Sequence, residues 1–209
     1  MDKNVFGDRQ PWGEYAITWV TDLPEDKAYP RGEGQNNVFL YLSSGTCAKD
    51  YINTGSEVLS GVDLGCSYGG MMYHFLNAGI EYAGVDQSET AVDLARKKFP
   101  DKKFICCLLW DLDIKEEYDI AYIQAVLQHN LREEQERIIP KIFNLLKPGG
   151  VFYFTDGTVS PERENEPMNA RTNRSWIDLM TRNGFVYVKS WCYSGDINNI
   201  YLFTKPLRS

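Results

Sequence analysis

Between residues 57 and 154 short apolar runs alternate with turn-forming clusters and with stretches of helical period. Glu57–Leu64 (EVLSGVDL) is the first run, Glu81–Asp86 (EYAGVD) the second, Lys103–Asp111 (KFICCLLWD) the third and Tyr118–Gln124 (YDIAYIQ) the fourth. Near-continuous apolar strands of this kind are buried on both faces, as in parallel sheets covered by helices. Helical patterns follow the first run after Gly70 and the second from Ser88 to Lys98. A further helix ends where Lys147-Pro148-Gly149-Gly150 precedes a fifth strand reaching Phe154, because proline cannot continue a helix and glycine closes one. Another helix starts near Ser175. The chain then closes with two strands, Phe185–Trp191 and Asn199–Thr204, about a turn at Ser194-Gly195-Asp196. The order predicts an α/β fold with a mostly parallel sheet and a C-terminal antiparallel hairpin strand.

Ahead of this pattern the chain has a different texture. Residues 1–54 are rich in aromatics, among them Trp12, Tyr15, Trp19, Tyr29, Phe39, Tyr41 and Tyr51. Leu23–Asn37 carries the proline, glycine and charge of a loop, and Asn36–Ile52 shows a rough helical face interrupted at Gly45. The expected organisation is an aromatic-rich cap over residues 1–54 and a sheet domain over residues 55–209.

The candidate chemistry sits at strand ends. The first strand breaks at Asp63-Leu64-Gly65-Cys66-Ser67-Tyr68-Gly69-Gly70 into a glycine-rich turn ahead of a helix, the arrangement by which an open α/β sheet receives a nucleotide-like ligand. Asp86, 17 positions after Gly69, closes the second strand, where a carboxylate accepts both hydroxyls of a ribose or caps the following helix. Asp111 lies near the end of the third run, and Gln124–His129 opens the loop after the fourth.

This ordered set resembles the class I S-adenosylmethionine-dependent methyltransferases, with their Rossmann-like doubly wound sheet. Asp63 to Gly69, Gly84-Val85-Asp86, Trp110-Asp111-Leu112, Asp119–His129 and Leu145–Gly150 carry the resemblance. It implies S-adenosylmethionine as cofactor. Asp63, Gly65, Cys66, Ser67, Tyr68 and Gly69 would hold its methionine end, Asp86 its ribose, Asp111 and Leu112 its adenine, and Gln124 and Ala125 the sulfonium end, with Gln87 a further cofactor contact. Ser67 departs from the family's middle glycine, and Trp110 stands where a small residue is usual, either stacked on the ring or packed in the core.

The cofactor carries an activated methyl group, so the protein chiefly aligns a nucleophile and excludes water. His129 is the candidate base, needed only for an acceptor that holds its proton. Tyr15, with Trp12, is a candidate acceptor contact, and Arg163, Arg171 and Arg174 are candidates for a carboxylate or phosphate on the substrate. His74 falls on the first helix and reads as structural. With 22 basic and 29 acidic residues the chain has a net charge of −7, which speaks against a nucleic-acid partner. The loop after the fourth strand also lacks the Asn/Asp-Pro-Pro-aromatic run of enzymes that methylate base amino groups. A small-molecule acceptor is therefore expected, with O or N as nucleophile, for a monomer or homodimer. No apolar run reaches a membrane-spanning length, and the first ten residues lack a secretion-type apolar stretch. Five cysteines in no metal-ligand spacing fit a reducing cytoplasm and no metal site, with Cys106 and Cys107 expected in a buried strand. An NAD(P)-dependent oxidoreductase and a non-catalytic scaffold of the same fold are the alternatives.

Overall fold

The structure, a computed structural model, describes residues 41–42, 46–158, 169–194 and 198–208. Seven strands form one sheet: β1 (Leu59–Leu64), β2 (Ile80–Asp86), β3 (Lys103–Cys106), β4 (Tyr118–Gln124), β5 (Leu146–Gly157), β6 (Val186–Ser194) and β7 (Asn198–Thr204). Their spatial order is β3-β2-β1-β4-β5-β7-β6. β1 to β5 run parallel, and β7 lies antiparallel between β5 and β6. The strand order reverses between β1 and β4, so a crevice opens above their carboxyl ends.

Helices cover both faces. α1 (Met72–Asn77) and α2 (Glu89–Lys98) pack Phe75, Val92 and Ala95 with Tyr82, Phe104 and Tyr122 on one side. α3 (Arg132–Leu145) and α4 (Asn173–Arg182) bury Ile138, Ile142, Trp176 and Leu179 on the other, against Val62, Leu64, Ile123 and Phe154. The β5–β7 pair adds an aromatic stack, with Phe154 and Tyr201 rings 4.5 Å apart at 11°. Ser88 caps α2 by accepting the Ala91 N–H at 3.3 Å, and Arg96, Lys97 and Lys98 occupy its last turn, where the helix dipole favours cations. Thr172 caps α4 by accepting the Ser175 N–H at 3.1 Å.

At the amino ends of the strands, Asp119 fastens the lead-in segment to the sheet. Its buried carboxylate accepts from the Thr54 hydroxyl, from Ser56 Oγ (2.6 Å), from Ser60 N–H and Oγ (both 2.8 Å), and pairs with Lys147 Nζ at 3.0 Å. Burial alone would push this carboxyl up, but the donors from Ser56, Thr54, Ser60 and Lys147 bring it down to about 2. Nearby, Gly149 has φ 78°, and a Cβ there would come within 2.0 Å of Asn53 O, so this turn admits only glycine.

Three expectations change. β3 ends at Cys106, and a 3-10 turn, Leu109–Asp111, follows it, so the third run is not one strand. β3 is the sheet edge; Cys106 is exposed and Cys107 half-buried, rather than packed inside. The expected helical face over Asn36–Ile52 is, in its described part, a two-residue antiparallel ladder (Tyr41–Leu42 with Thr46–Cys47) and a 3-10 turn, Ala48–Tyr51. Trp12, Tyr15, Arg163 and the turn at residues 195–197 lie outside the described residues.

Candidate active site at the carboxyl edge of the sheet

The turn after β1 is shaped by backbone angles that few residues tolerate. Gly65 (φ 87°), Ser67 (φ 50°) and Gly69 (φ 85°) are left-handed, so Ser67 holds an angle usual for the glycine it replaces. A Cβ on Gly65 would lie 2.3 Å from Val126 Cγ2, because the loop after β4 rests directly on this turn. Gly65 and Cys66 donate their N–H groups to Val85 O at 2.7 and 3.0 Å, tying the turn to β2.

Two carboxylates flank it. Asp63 is buried, and its Oδ2 accepts from the Tyr82 hydroxyl at 3.1 Å. Burial raises this carboxyl to about 7; the Tyr82 bond opposes the rise, and Asp86 adds to it by repulsion. Asp86 accepts the Ser67 N–H on Oδ2 and the Ser88 N–H on Oδ1, both at 2.8 Å, so it fixes the turn and positions the cap of α2, which is Ser88 rather than Asp86. Burial pushes its pKa up, against the bonds from Ser88, Ser67 and Gln87. Cys66 is buried beside these groups, and burial, Asp63 and Asp86 raise its thiol pKa. Tyr68 is half-buried within the turn, and Gln87 is exposed just past β2.

Farther along the edge, Asp111 is exposed and Leu112 buried. Trp110 packs at the rim of the core, with the Arg137 guanidinium 5.5 Å from its ring, which agrees with a packing role. Gln124 Oε1 accepts from the Tyr122 hydroxyl at 2.9 Å. Ala125 is left-handed (φ 53°) and donates its N–H to Thr155 O at 2.8 Å, which redirects the chain over the turn.

The loop carrying His129 is held by residues that sequence reasoning missed. Asp156, at the end of β5, accepts N–H groups from Leu127 (2.9 Å), Gln128 (3.3 Å) and Gly157 (3.0 Å). Burial raises Asp156 to about 7 against these bonds. Gln135 of α3, fully buried, donates to Leu127 O (2.9 Å), Asn130 O (3.1 Å) and Asn169 O (3.0 Å). A charged residue closing the apolar β5 at the ligand edge was the available signal for Asp156; nothing in the local sequence marks Gln135. His129 is half-buried with its pKa lowered by burial, and its Nε2 lies 3.3 Å from Gln128 Nε2. His74 sits on α1.

Arg171, expected as a substrate anion contact, is instead buried. It donates to Gln135 Oε1 (2.6 Å), to Ser175 Oγ (3.3 Å) and to Glu136 (3.1 Å). Arg174 is exposed and pairs with Asp178 at 2.9 Å. No cluster of metal-ligating side chains and no helix long and apolar enough to cross a membrane occurs among the described residues.

A doubly wound sheet, a glycine-rich turn at its switch point and acidic residues closing β1 and β2 make up a Rossmann-like fold of the kind that receives nucleotide-type ligands. Residues 62–154 match the family described as a methyltransferase domain. An uncharacterized methyltransferase of Synechocystis is 29% identical over 106 residues, 50% of this chain and 49% of that protein. A carboxy-S-adenosyl-L-methionine synthase of Shewanella loihica is 25% identical over 59% of this chain and 53% of its own, and a tRNA N(3)-methylcytidine methyltransferase of Schizosaccharomyces pombe is 28% identical over 46% and 35%. The chain thus spans about a third to a half of these relatives. Among solved structures, phosphoethanolamine N-methyltransferase 2 of Haemonchus contortus, in complex with S-adenosyl-L-methionine, matches with TM-score 0.69 at 14% identity, over 99% of this chain and 60% of that one. Over residues 62–154 the chain is thus similar to a methyltransferase domain, and its fold is that of S-adenosylmethionine-dependent methyltransferases of known structure.

Proposed function

We propose that this chain binds S-adenosylmethionine at the β1–β2 edge and transfers its methyl group to an O or N nucleophile of a small molecule. The observation that carries the reading is Asp63, a carboxyl buried beside the glycine-rich turn, which burial raises to about 7. A cationic ligand entering there would supply a compensating charge, and S-adenosylmethionine brings an ammonium and a sulfonium.

The residues present suit the group. The left-handed Gly65–Gly69 turn lets backbone approach the methionine end closely. Asp86 keeps further lone pairs on its two oxygens for ribose hydroxyls while it holds Ser67 and Ser88. Gln87 would add a further cofactor contact, Asp111 and Leu112 would flank the adenine, and Gln124 and Ala125 would line the methyl-donating end. The bound cofactor supplies an activated methyl group; the chain orients the acceptor and excludes water. Residues 1–54 would form the cap, with Tyr15 as an acceptor contact.

A small acceptor is favoured by the net charge of −7 and by the engagement of Arg171 and Arg182 with Glu136, which leaves them poorly suited to grip a polyanion. Calorimetry of ligand-free protein against S-adenosylmethionine, S-adenosylhomocysteine and the nicotinamide cofactors tests the first half. Micromolar binding of the two sulfur ligands alone is expected, and binding of NAD(H) or NADP(H) instead would overturn the reading. Release of S-adenosylhomocysteine on adding candidate small amines and hydroxyl compounds tests the second.

A further inference from the structure

His129 is set at the edge where an acceptor would lie, yet its hydrogen bonding bears on the base role expected of it. The Gly157 N–H meets Gln128 Oε1 at 2.6 Å. A backbone N–H only donates, so the atom facing it is the amide oxygen, and the orientation of the Gln128 side chain is thereby fixed. Its amino group must then face outward, where it lies 3.3 Å from His129 Nε2. An amide N–H also only donates, so Nε2 is the acceptor and bears the imidazole lone pair. A second layer holds Gln128 itself: it is buried at 7% exposure, and its own N–H goes to Asp156 Oδ2 at 3.3 Å.

We infer that Gln128 is a positioning residue that keeps His129 neutral, with Nε2 as hydrogen-bond acceptor and the ring proton on Nδ1. A proton taken up at Nε2 would point at the Gln128 amino group, two donors face to face. The burial that lowers the His129 pKa works in the same direction. With Nε2 engaged by Gln128 and Nδ1 buried, His129 is not placed to take a proton from the acceptor.

The consequence for substrate class rests on the reading of this edge as the site of methyl transfer. A nucleophile that arrives with a lone pair in hand suits such a site: a neutral amine, or an oxygen already ionised in solution. For an amine, the nitrogen lone pair forms the bond to the methyl carbon as the carbon–sulfur bond breaks, and the ammonium proton then passes to water. An alcohol, which must lose its proton during attack, is the acceptor this arrangement serves least.

Nitrogen-15 NMR of the imidazoles of the ligand-free full chain tests the inference. The chain has two histidines, His74 and His129, and His74→Gln assigns the spectrum. At a pH where His129 is neutral, its Nδ1 should resonate as a protonated nitrogen and its Nε2 as an unprotonated one. The opposite pattern, or two averaged shifts from mixed tautomers, would overturn it. Gln128→Glu, whose carboxylate accepts only, should reverse the pattern and raise the His129 pKa, and an unchanged pattern in that variant counts against the inference. The wild-type spectrum decides even where the variant fails to fold. S-adenosylhomocysteine calorimetry on the same sample reports separately on the cofactor reading, so either can fail alone.

Discussion

Asp119 offers the sharpest test of how this sheet is held to its lead-in segment. Its carboxylate has no exposure and gathers five donor contacts from Thr54, Ser56, Ser60 and Lys147. Asp119→Asn keeps the shape, removes the Lys147 ion pair and turns an NH2 group toward hydroxyls or the amide that had been donating. The ordinary carboxyl value of 3.8 falls to about 2 in the fold. By linkage, a depressed folded pKa contributes stability that is present above pH 3.8 and lost as the pH falls toward 2. The gap of nearly two pH units corresponds to about 2 to 3 kcal/mol. Leaving Lys147 without its partner adds to the loss, so the expected cost at pH 7 is about 2 to 4 kcal/mol. Urea unfolding followed by circular dichroism from pH 2 to 7, for wild type and variant, measures it. The difference between the two proteins should be full at pH 5 to 7 and shrink below pH 4. Equal midpoints at pH 7, or a difference that stays constant down to pH 2, would refute the account.

Three further outcomes follow from the proposed cofactor site. Asp86→Ala should weaken S-adenosylhomocysteine binding by about 2 to 4 kcal/mol in calorimetry, through loss of ribose contacts and of the Ser67 and Ser88 anchors; unchanged affinity would remove Asp86 from the pocket. Gly65→Ala places a methyl 2.3 Å from Val126 Cγ2 at φ 87°, and should abolish detectable binding while lowering the thermal midpoint. Asp63→Asn should make the ligand-free protein more stable at pH 8 and bind S-adenosylmethionine more weakly. The sign follows from a folded pKa raised to about 7: the wild type holds that proton in the fold between pH 3.8 and 7, so its stability falls as pH rises through this window, by up to a few kcal/mol. A variant no more stable than wild type at pH 8 would contradict the burial argument.

Much of the geometry of the candidate site was legible along the chain because the residues concerned serve local backbone needs. Gly65 and Gly69 mark left-handed positions, and Asp86 closes a strand before a capped helix; each leaves a trace within a few residues. The third strand was read too long because Cys106 to Asp111 is apolar enough for a strand, and periodicity cannot tell an extended run from one that folds into a 3-10 turn beneath Arg137. Arg171 was misassigned for a related reason. Its partners Gln135 and Glu136 lie on another helix, and a sequence shows an arginine's charge without showing who neutralises it.

What the sequence by itself determined was the alternation of strand and helix, the parallel sheet with its closing hairpin, the glycine turn and the acidic residues along one edge, since each follows from hydrophobic period or from backbone angles open to few residues. Tertiary structure alone decided which of those groups share an environment. Burial beside Asp86 gives Asp63 a pKa near 7. The approach of β5 to the loop after β4 brings Asp156 and Gly157 to Gln128, and Gln128 to His129. Desolvation and hydrogen-bond direction depend on distances across the fold, between residues the chain keeps far apart.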